Sequence, residues 1–81
     1  MPRRFSTAEL LRALALIGIT STRQRGSHIR CSGMFRGEMR HVSLVAGQRV
    51  VQPGTLKSIM EQAGISRKEL DRLVRGERVG E

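Results

Sequence analysis

Aromatic side chains are nearly absent from this chain, which has two phenylalanines and no tyrosine or tryptophan among 81 residues. Proteins that hold single-stranded nucleic acid by base stacking do so mainly on aromatic side chains. A binding surface built on aromatic rings is therefore excluded. Any nucleic-acid contact is expected to go to the backbone and the overall shape of the partner.

Cysteine occurs once, as Cys31, so the chain has neither an internal disulfide nor the paired cysteines of a zinc site. A single thiol fits a reducing cytoplasm, and we expect it to fill a core position. The longest apolar stretch, residues 13–19, is too short to cross a bilayer, which takes about 20 residues. We therefore predict a cytoplasmic protein with no metal, no other cofactor and no membrane partner.

Negative charge is also scarce, because 15 lysines and arginines stand against seven acids, for a net charge of +8. Glu38 is the one acid between Arg12 and Arg49, whereas the last third of the chain mixes both signs. This segregation favours a basic binding face over dispersed surface charge. Nucleic acid, an acidic protein and an anionic membrane would all suit such a face.

Three helices are predicted from capping signals and from apolar residues at helical spacing. A capping box at Ser6 opens the first helix, and Gly18 ends it. Pro53 opens the second helix, which ends at Gly64. A second capping box at Ser66 opens a short third helix.

Three strands are predicted between the first and second helices, over residues 19–25, 27–32 and 39–45. A hairpin turn centred on Arg36 and Gly37 would pair Ile29 with Leu44. The face turned away from the helices would then carry His28, Arg30, His41 and Ser43. A slip of one residue would exchange the two faces.

The element order predicts an α+β fold, in which a three-stranded antiparallel sheet is covered by helices on one face. This is the α-β-β-β-α arrangement of double-stranded-RNA-binding domains, here with a short extra C-terminal helix. At this length we expect a single domain over residues 1–81, with an ordered core over about residues 5–75.

The tripeptide Gly26-Ser27-His28 follows a basic run at residues 23–25 and leads into a strand. Gly and Ser let a backbone approach a ligand closely, and an imidazole exchanges protons near neutral pH. His28 is therefore a candidate catalytic group, although an ordinary surface histidine in a basic turn explains these residues more simply. Cations attract phosphate, arginine matches its geometry, and the Gly-Ser pair lets a phosphate backbone come close. The candidate contacts to a phosphodiester are therefore Arg23, Arg25, Gly26, Ser27, Arg30 and Lys57.

Two further residues are candidates for an accessory role in the site, and each also has an ordinary structural explanation. His41 is a candidate second proton-transfer group if the predicted register holds, although an exposed strand histidine explains it more simply. Thr55 lies at the start of the second helix, where free N–H groups can hold an anion. Ordinary helix initiation at Pro53 explains Thr55 about equally well.

Several segments together resemble one known family. In order they are the capped helix ending in Gly18, the motif RQRGSH at residues 23–28, the hairpin, PGTL at residues 53–56 and QAGIS at residues 62–66. This set resembles the HicA-type (YcfA-like) toxins of bacterial toxin–antitoxin pairs, over roughly residues 5–75.

The resemblance implies a ribosome-independent mRNA endonuclease that uses His28 as its one catalytic histidine. It also implies a HicB-type antitoxin that covers the active site. The chain departs from the family in two places, because Ile29 replaces a second histidine found in many members and the hairpin lacks the usual Pro-Asp-Gly-like turn.

Two other functions fit parts of the sequence. Residues 56–75 have the outline of a DNA-binding helix-turn-helix, with Met60 at a position that is usually small. A non-catalytic RNA-binding domain of the same fold is the other alternative.

Overall fold

The computed structural model describes residues 4–80 and confirms the predicted α+β fold. The elements are α1 (Thr7–Leu16), β1 (Thr20–Arg25), β2 (His28–Phe35), β3 (Glu38–Val45), α2 (Pro53–Ala63) and α3 (Arg67–Val74). The sheet has the order β1-β2-β3, and both neighbouring pairs are antiparallel. The ends of the predicted domain, residues 1–3 and residue 81, lie outside the described residues.

The helices begin and end where their caps predict. Before α1, the Ser6 hydroxyl accepts from the Glu9 N–H at 3.2 Å, and the Glu9 carboxylate accepts from the Ser6 N–H at 3.0 Å. Ser66 and Glu69 make the same pair of bonds before α3. These bonds satisfy N–H groups that have no partner within a helix. Gly64 ends α2 at a left-handed φ of 74°.

The β2–β3 hairpin has the predicted register, with Ile29 opposite Leu44 and Cys31 opposite Val42. Both strands are longer than predicted, because Gly33 lies inside β2 and not in the turn. A Cβ at Gly33 would stand 1.9 Å from the Gly18 carbonyl oxygen, so the glycine makes room for the chain leaving α1. The turn consists of Arg36 and Gly37, whose φ values of 52° and 77° are both positive, as a type I′ turn requires.

One face of the sheet packs against the helices and forms the hydrophobic core. α1 packs against α3 and β1, and α2 packs against β3. Cys31 is fully buried, as expected, and this burial raises the pKa of its thiol. The largest fully buried side chains are Phe5, Phe35, Leu10, Leu14, Ile19, Leu70, Leu73, Val42 and Cys31.

The opposite side of the sheet, which we call the open face, carries the side chains that alternate with the core positions. On β2 these are His28, Arg30, Ser32 and Met34, and on β3 they are Met39, His41, Ser43 and Val45. Between residues 4 and 80, no helix has the length and apolar character needed to span a membrane.

Candidate functional site

His28 is exposed on the open face at the first position of β2. Arg25 on β1 and Val45 on β3 lie directly opposite it, so the three side chains share one row across the sheet. The next residue, Ile29, is only 6% exposed and faces the core. Because strand side chains alternate, the burial of Ile29 fixes His28 on the uncovered side.

The turn before His28 has the geometry its residues favour. Gly26 has a φ of 59° and takes the first central position of a two-residue hairpin, where type II′ turns need glycine. A Cβ here would meet nothing within 4 Å, so backbone conformation and not space requires the glycine. The Ser27 carbonyl accepts from the Ala46 N–H at 2.7 Å, which fastens the turn to the end of β3. Ser27 was predicted as the first strand residue, but it belongs to the turn.

Three arginines surround the imidazole. Arg25 lies opposite His28, Arg23 lies opposite Arg30, and all three arginines are exposed on or beside the open face. A shallow cleft of about 230 Å³ is lined by His28, the three arginines, Ser43 and the edge of Ile29. The sheet therefore brings together four of the residues predicted from sequence: His28, Arg23, Arg25 and Arg30.

The cleft arginines have no acidic partner among residues 4–80, unlike most of the arginines elsewhere. Arg36 pairs with Glu69, Arg40 pairs with Glu38 at 2.9 Å, and Arg75 pairs with Glu77 at 2.9 Å. The positive charge of the cleft is thus left available for an external anion, and several cations in one concave site attract such an anion.

Lys57 and Thr55 do not line this cleft. Both are exposed on α2, which packs beside β3. The Gln62 side-chain oxygen accepts from the Ser43 N–H at 3.0 Å, so α2 meets the free edge of β3 through its C-terminal half. The N-terminal half, where Lys57 and Thr55 lie, makes no contribution to the walls of the cleft.

His41 shares the open face with His28, as predicted, but it is separated from the cleft along the strands. It lies opposite Ser32, four residues from His28, which corresponds to about 13 Å at a strand rise of about 3.3 Å per residue. Its Nδ1 is hydrogen-bonded to the Ser32 hydroxyl at 2.9 Å. At that separation the two imidazoles do not reach the same phosphodiester.

Three polar residues were not predicted as part of the site, although Ser43 was predicted to lie on the open face. Ser43 lines the cleft opposite Arg30, and its place follows from the alternation of β3. Ser32 follows in the same way from β2. The Thr22 hydroxyl donates to the Arg30 carbonyl at 3.2 Å, and its oxygen lies 3.4 Å from the Ser32 hydroxyl. Its position depends on a bulge between Ser21 and Arg23, for which the sequence carries no signal.

The chemistry available in the cleft is proton transfer by one imidazole beside several fixed cations. Within the described part of the chain, no three His, Cys, Asp or Glu side chains come together in a group that could hold a metal ion. A larger cavity, of about 600 Å³, lies between the start of α2 and Arg67, but its lining includes no histidine. The smaller cleft is therefore the better candidate for catalysis.

Comparison with known proteins gives one family. A family model described as "HicA toxin of bacterial toxin-antitoxin" matches residues 7–65, which include α1, the whole sheet and α2. All residues that line the cleft fall within this match. The comparison with curated proteins gave no match.

Proposed function

Because the chain belongs to the HicA toxin family of bacterial toxin–antitoxin systems, we propose that it kills or arrests cells by cleaving mRNA with His28 and that a HicB-type antitoxin inhibits it. The observation that carries the proposal is the exposed imidazole of His28 among Arg23, Arg25 and Arg30. None of these three guanidinium groups is neutralised by an acid of the described chain.

The proposed reaction is attack of a ribose 2′-oxygen on the adjacent phosphorus. His28 takes the proton of the 2′-hydroxyl, the new bond from oxygen to phosphorus forms, and the bond from phosphorus to the 5′-oxygen breaks. The 5′-oxygen leaves with a proton from water. The products are a 2′,3′-cyclic phosphate and a 5′-hydroxyl end. A well-placed general base of this kind contributes about 10²–10⁴-fold in rate.

The arginines supply the electrostatic part of the proposal. The phosphorus passes through a crowded state that carries more negative charge than the bound phosphodiester. Arg25, directly opposite His28, and Arg30, two residues along β2, are the nearest fixed cations to that charge. Cations positioned in advance stabilise such a state because they need not reorganise during the reaction.

The proposed antitoxin would bind the open face. That face is the side of the sheet that the helices leave uncovered, and the register puts no acidic residue among its β2 and β3 positions. An acidic protein that covered it would bury the cleft arginines against opposite charge, which gives both fast association and inhibition.

Two alternatives have less support. A helix-turn-helix over residues 56–75 needs free side chains at the start of α3, but Arg67 contacts the Phe5 ring at 4.9 Å and Asp71 at 3.4 Å. A non-catalytic RNA-binding domain fits the same charge and fold, and only a cleavage assay separates it from the nuclease.

The test is cleavage of a long mRNA by the purified protein in EDTA. We expect fragments with 5′-hydroxyl ends, which polynucleotide kinase labels without prior phosphatase treatment. An oligonucleotide with 2′-deoxyribose at the scissile position should bind but stay uncut. RNA that remains intact at high protein concentration would contradict the nuclease proposal and leave the RNA-binding alternative.

A further inference from the structure

Two methionines form an exposed pair on the open face. Met34 on β2 and Met39 on β3 lie directly opposite each other and are 59% and 55% exposed. Elsewhere among residues 4–80, the other exposed large apolar side chains are Leu16 and Val50, at 48% and 40%. Adjacent exposed apolar side chains are better evidence for a binding surface than singly scattered ones, which are normal on any protein.

Hydrogen-bonding groups adjoin the methionines in the next row of the sheet. His41 lies opposite Ser32, and its Nδ1 is 2.9 Å from the Ser32 hydroxyl. The Thr22 hydroxyl reaches the same oxygen from β1 at 3.4 Å. This end of the open face therefore combines an apolar surface, an exposed imidazole and a row of hydroxyl groups.

We propose that Met34, Met39 and His41, which we call the methionine platform, bind a nucleobase of the RNA strand that is cleaved at His28. The proposal rests on the proposed function, because it places a second part of the same RNA. A nucleobase has an aromatic face and a polar edge. Thioether sulfur packs favourably against aromatic faces, imidazole stacks on bases, and donors and acceptors beside it pair with the base edge.

The charge of the open face favours RNA as the occupant of the platform. Arg23 and Arg30 lie opposite each other between the His28 row and the His41 row, so a phosphate backbone that runs along β2 stays in contact with cations. The platform continues this basic surface without an intervening acid at the β2 and β3 positions. The chain lacks tyrosine and tryptophan, and methionine supplies the apolar surface that those residues provide in other proteins.

The register sets which nucleotide the platform contacts. The platform lies four to six residues along β2 from His28, or about 13–20 Å at the usual strand rise. This is beyond the nucleotides that flank the reacting phosphate. The platform therefore selects and holds a more distant base, and it takes no part in the bond-breaking step.

The test is a binding assay that does not depend on cleavage. A His28→Ala protein would be titrated with a fluorescent single-stranded RNA of fixed sequence. It would also be titrated with a series of RNAs that each carry one abasic site, in which the base is removed and the ribose is kept. We expect base removal to weaken binding about 2–10-fold at one position, as loss of a sulfur–aromatic contact implies. In a Met34→Thr/Met39→Thr variant of the same protein, this position-specific loss should disappear.

Two further variants complete the design. Val50→Thr removes an apolar side chain that is 40% exposed and lies outside the sheet. In this control, removal of the same base should weaken binding as much as it does in the parent His28→Ala protein. His41→Ala changes one exposed side chain and should reduce the loss at the same position, which covers the case in which the double variant fails to fold.

The outcomes separate this inference from the proposed function. If base removal costs nothing at any position, or costs the same in the platform variants, the inference is wrong while cleavage by the wild-type protein can still be intact. If the platform variants bind every RNA as tightly as the His28→Ala protein does, the exposed methionines are instead expected to contact a protein partner. If the His28→Ala protein binds none of the RNAs, both proposals are contradicted.

Discussion

At the scale of single residues, the arginines divide by what their guanidinium groups contact. Arg36 donates to both carboxylate oxygens of Glu69, to the Gly64 carbonyl at 3.0 Å and to the Gly80 carbonyl at 3.1 Å. Arg23, Arg25 and Arg30 make no ion pair within residues 4–80. Arg36 thus stabilises the fold, whereas the charge of the three cleft arginines is left free for an external anion.

The Arg36–Glu69 pair predicts a specific pH dependence of stability. The Arg36 guanidinium, hydrogen-bonded to the carboxylate, lowers the pKa of Glu69 from 4.5 to about 2. The folded chain therefore binds this proton more weakly than the unfolded chain, and the pair stabilises the fold fully above pH 4.5. Its contribution should decline as the pH falls from 4.5 to about 2.

Denaturant unfolding of the wild-type protein and of Glu69→Gln over this pH range checks the prediction. Glutamine at this position can still accept the capping hydrogen bond from the Ser66 N–H, so the variant mainly removes the charge. We expect the free energy of unfolding of Glu69→Gln to change less between pH 4.5 and 2. If the free energy of unfolding varies with pH in the same way for both proteins, the ion pair does not contribute to the pH dependence of stability.

Part of the site could be predicted residue by residue. His28, Arg30 and Ser43 follow from strand alternation once the hairpin register is known. Lys57 and Thr55 illustrate what the sequence does not provide. Their distance from the cleft depends on how α2 packs beside β3, which involves contacts between residues far apart in the chain.

At the scale of secondary-structure elements, the β2–β3 hairpin positions the site. Its register was predictable because Ile29, Cys31, Val42 and Leu44 alternate with polar residues and admit one common core face. Its length was not predictable, because Gly33 resembles a turn residue in the sequence. Only the tertiary structure shows that Gly33 accommodates the end of α1.

Replacing Gly33 should therefore destabilise the fold. In Gly33→Ala the added Cβ would overlap the Gly18 carbonyl, so the backbone after α1 must move. We expect a loss of about 1–3 kcal/mol in the free energy of unfolding, the usual cost of overpacking. Gly54→Ala is the matched control, since a Cβ at Gly54 meets nothing within 4 Å. Equal stabilities of the two variants would contradict the close packing of β2 against the end of α1.

At the scale of the whole molecule, charge and packing are arranged on opposite sides of one sheet. All three helices and the core lie on one side, and the basic cleft and the methionine platform lie on the other. A net charge of +8 on 81 residues gives this small chain a strong attraction for polyanions and acidic proteins. We therefore expect the proposed RNA substrate and the proposed antitoxin to compete for the same face.

Hydrogen exchange in the presence of the antitoxin tests whether it binds this face, which the competition requires. We expect slower exchange at residues 23–30, where the β1–β2 hairpin carries the cleft, because a bound protein would exclude water from them. Exchange in α3, on the covered side, should stay unchanged and serves as the internal control. Protection confined to α3 would mean that the antitoxin acts from the other side of the molecule.

The most direct measurement is the RNA cleavage rate of His28→Ala compared with wild type, with RNA affinity and thermal unfolding measured on the same preparations. His28 is exposed, so the variant should fold and bind RNA like the wild-type protein. Its cleavage rate should fall by at least about 10²-fold, the contribution expected of a general base, and its toxicity to growing cells should disappear with it. Cleavage at the wild-type rate by a folded His28→Ala protein would contradict the central claim.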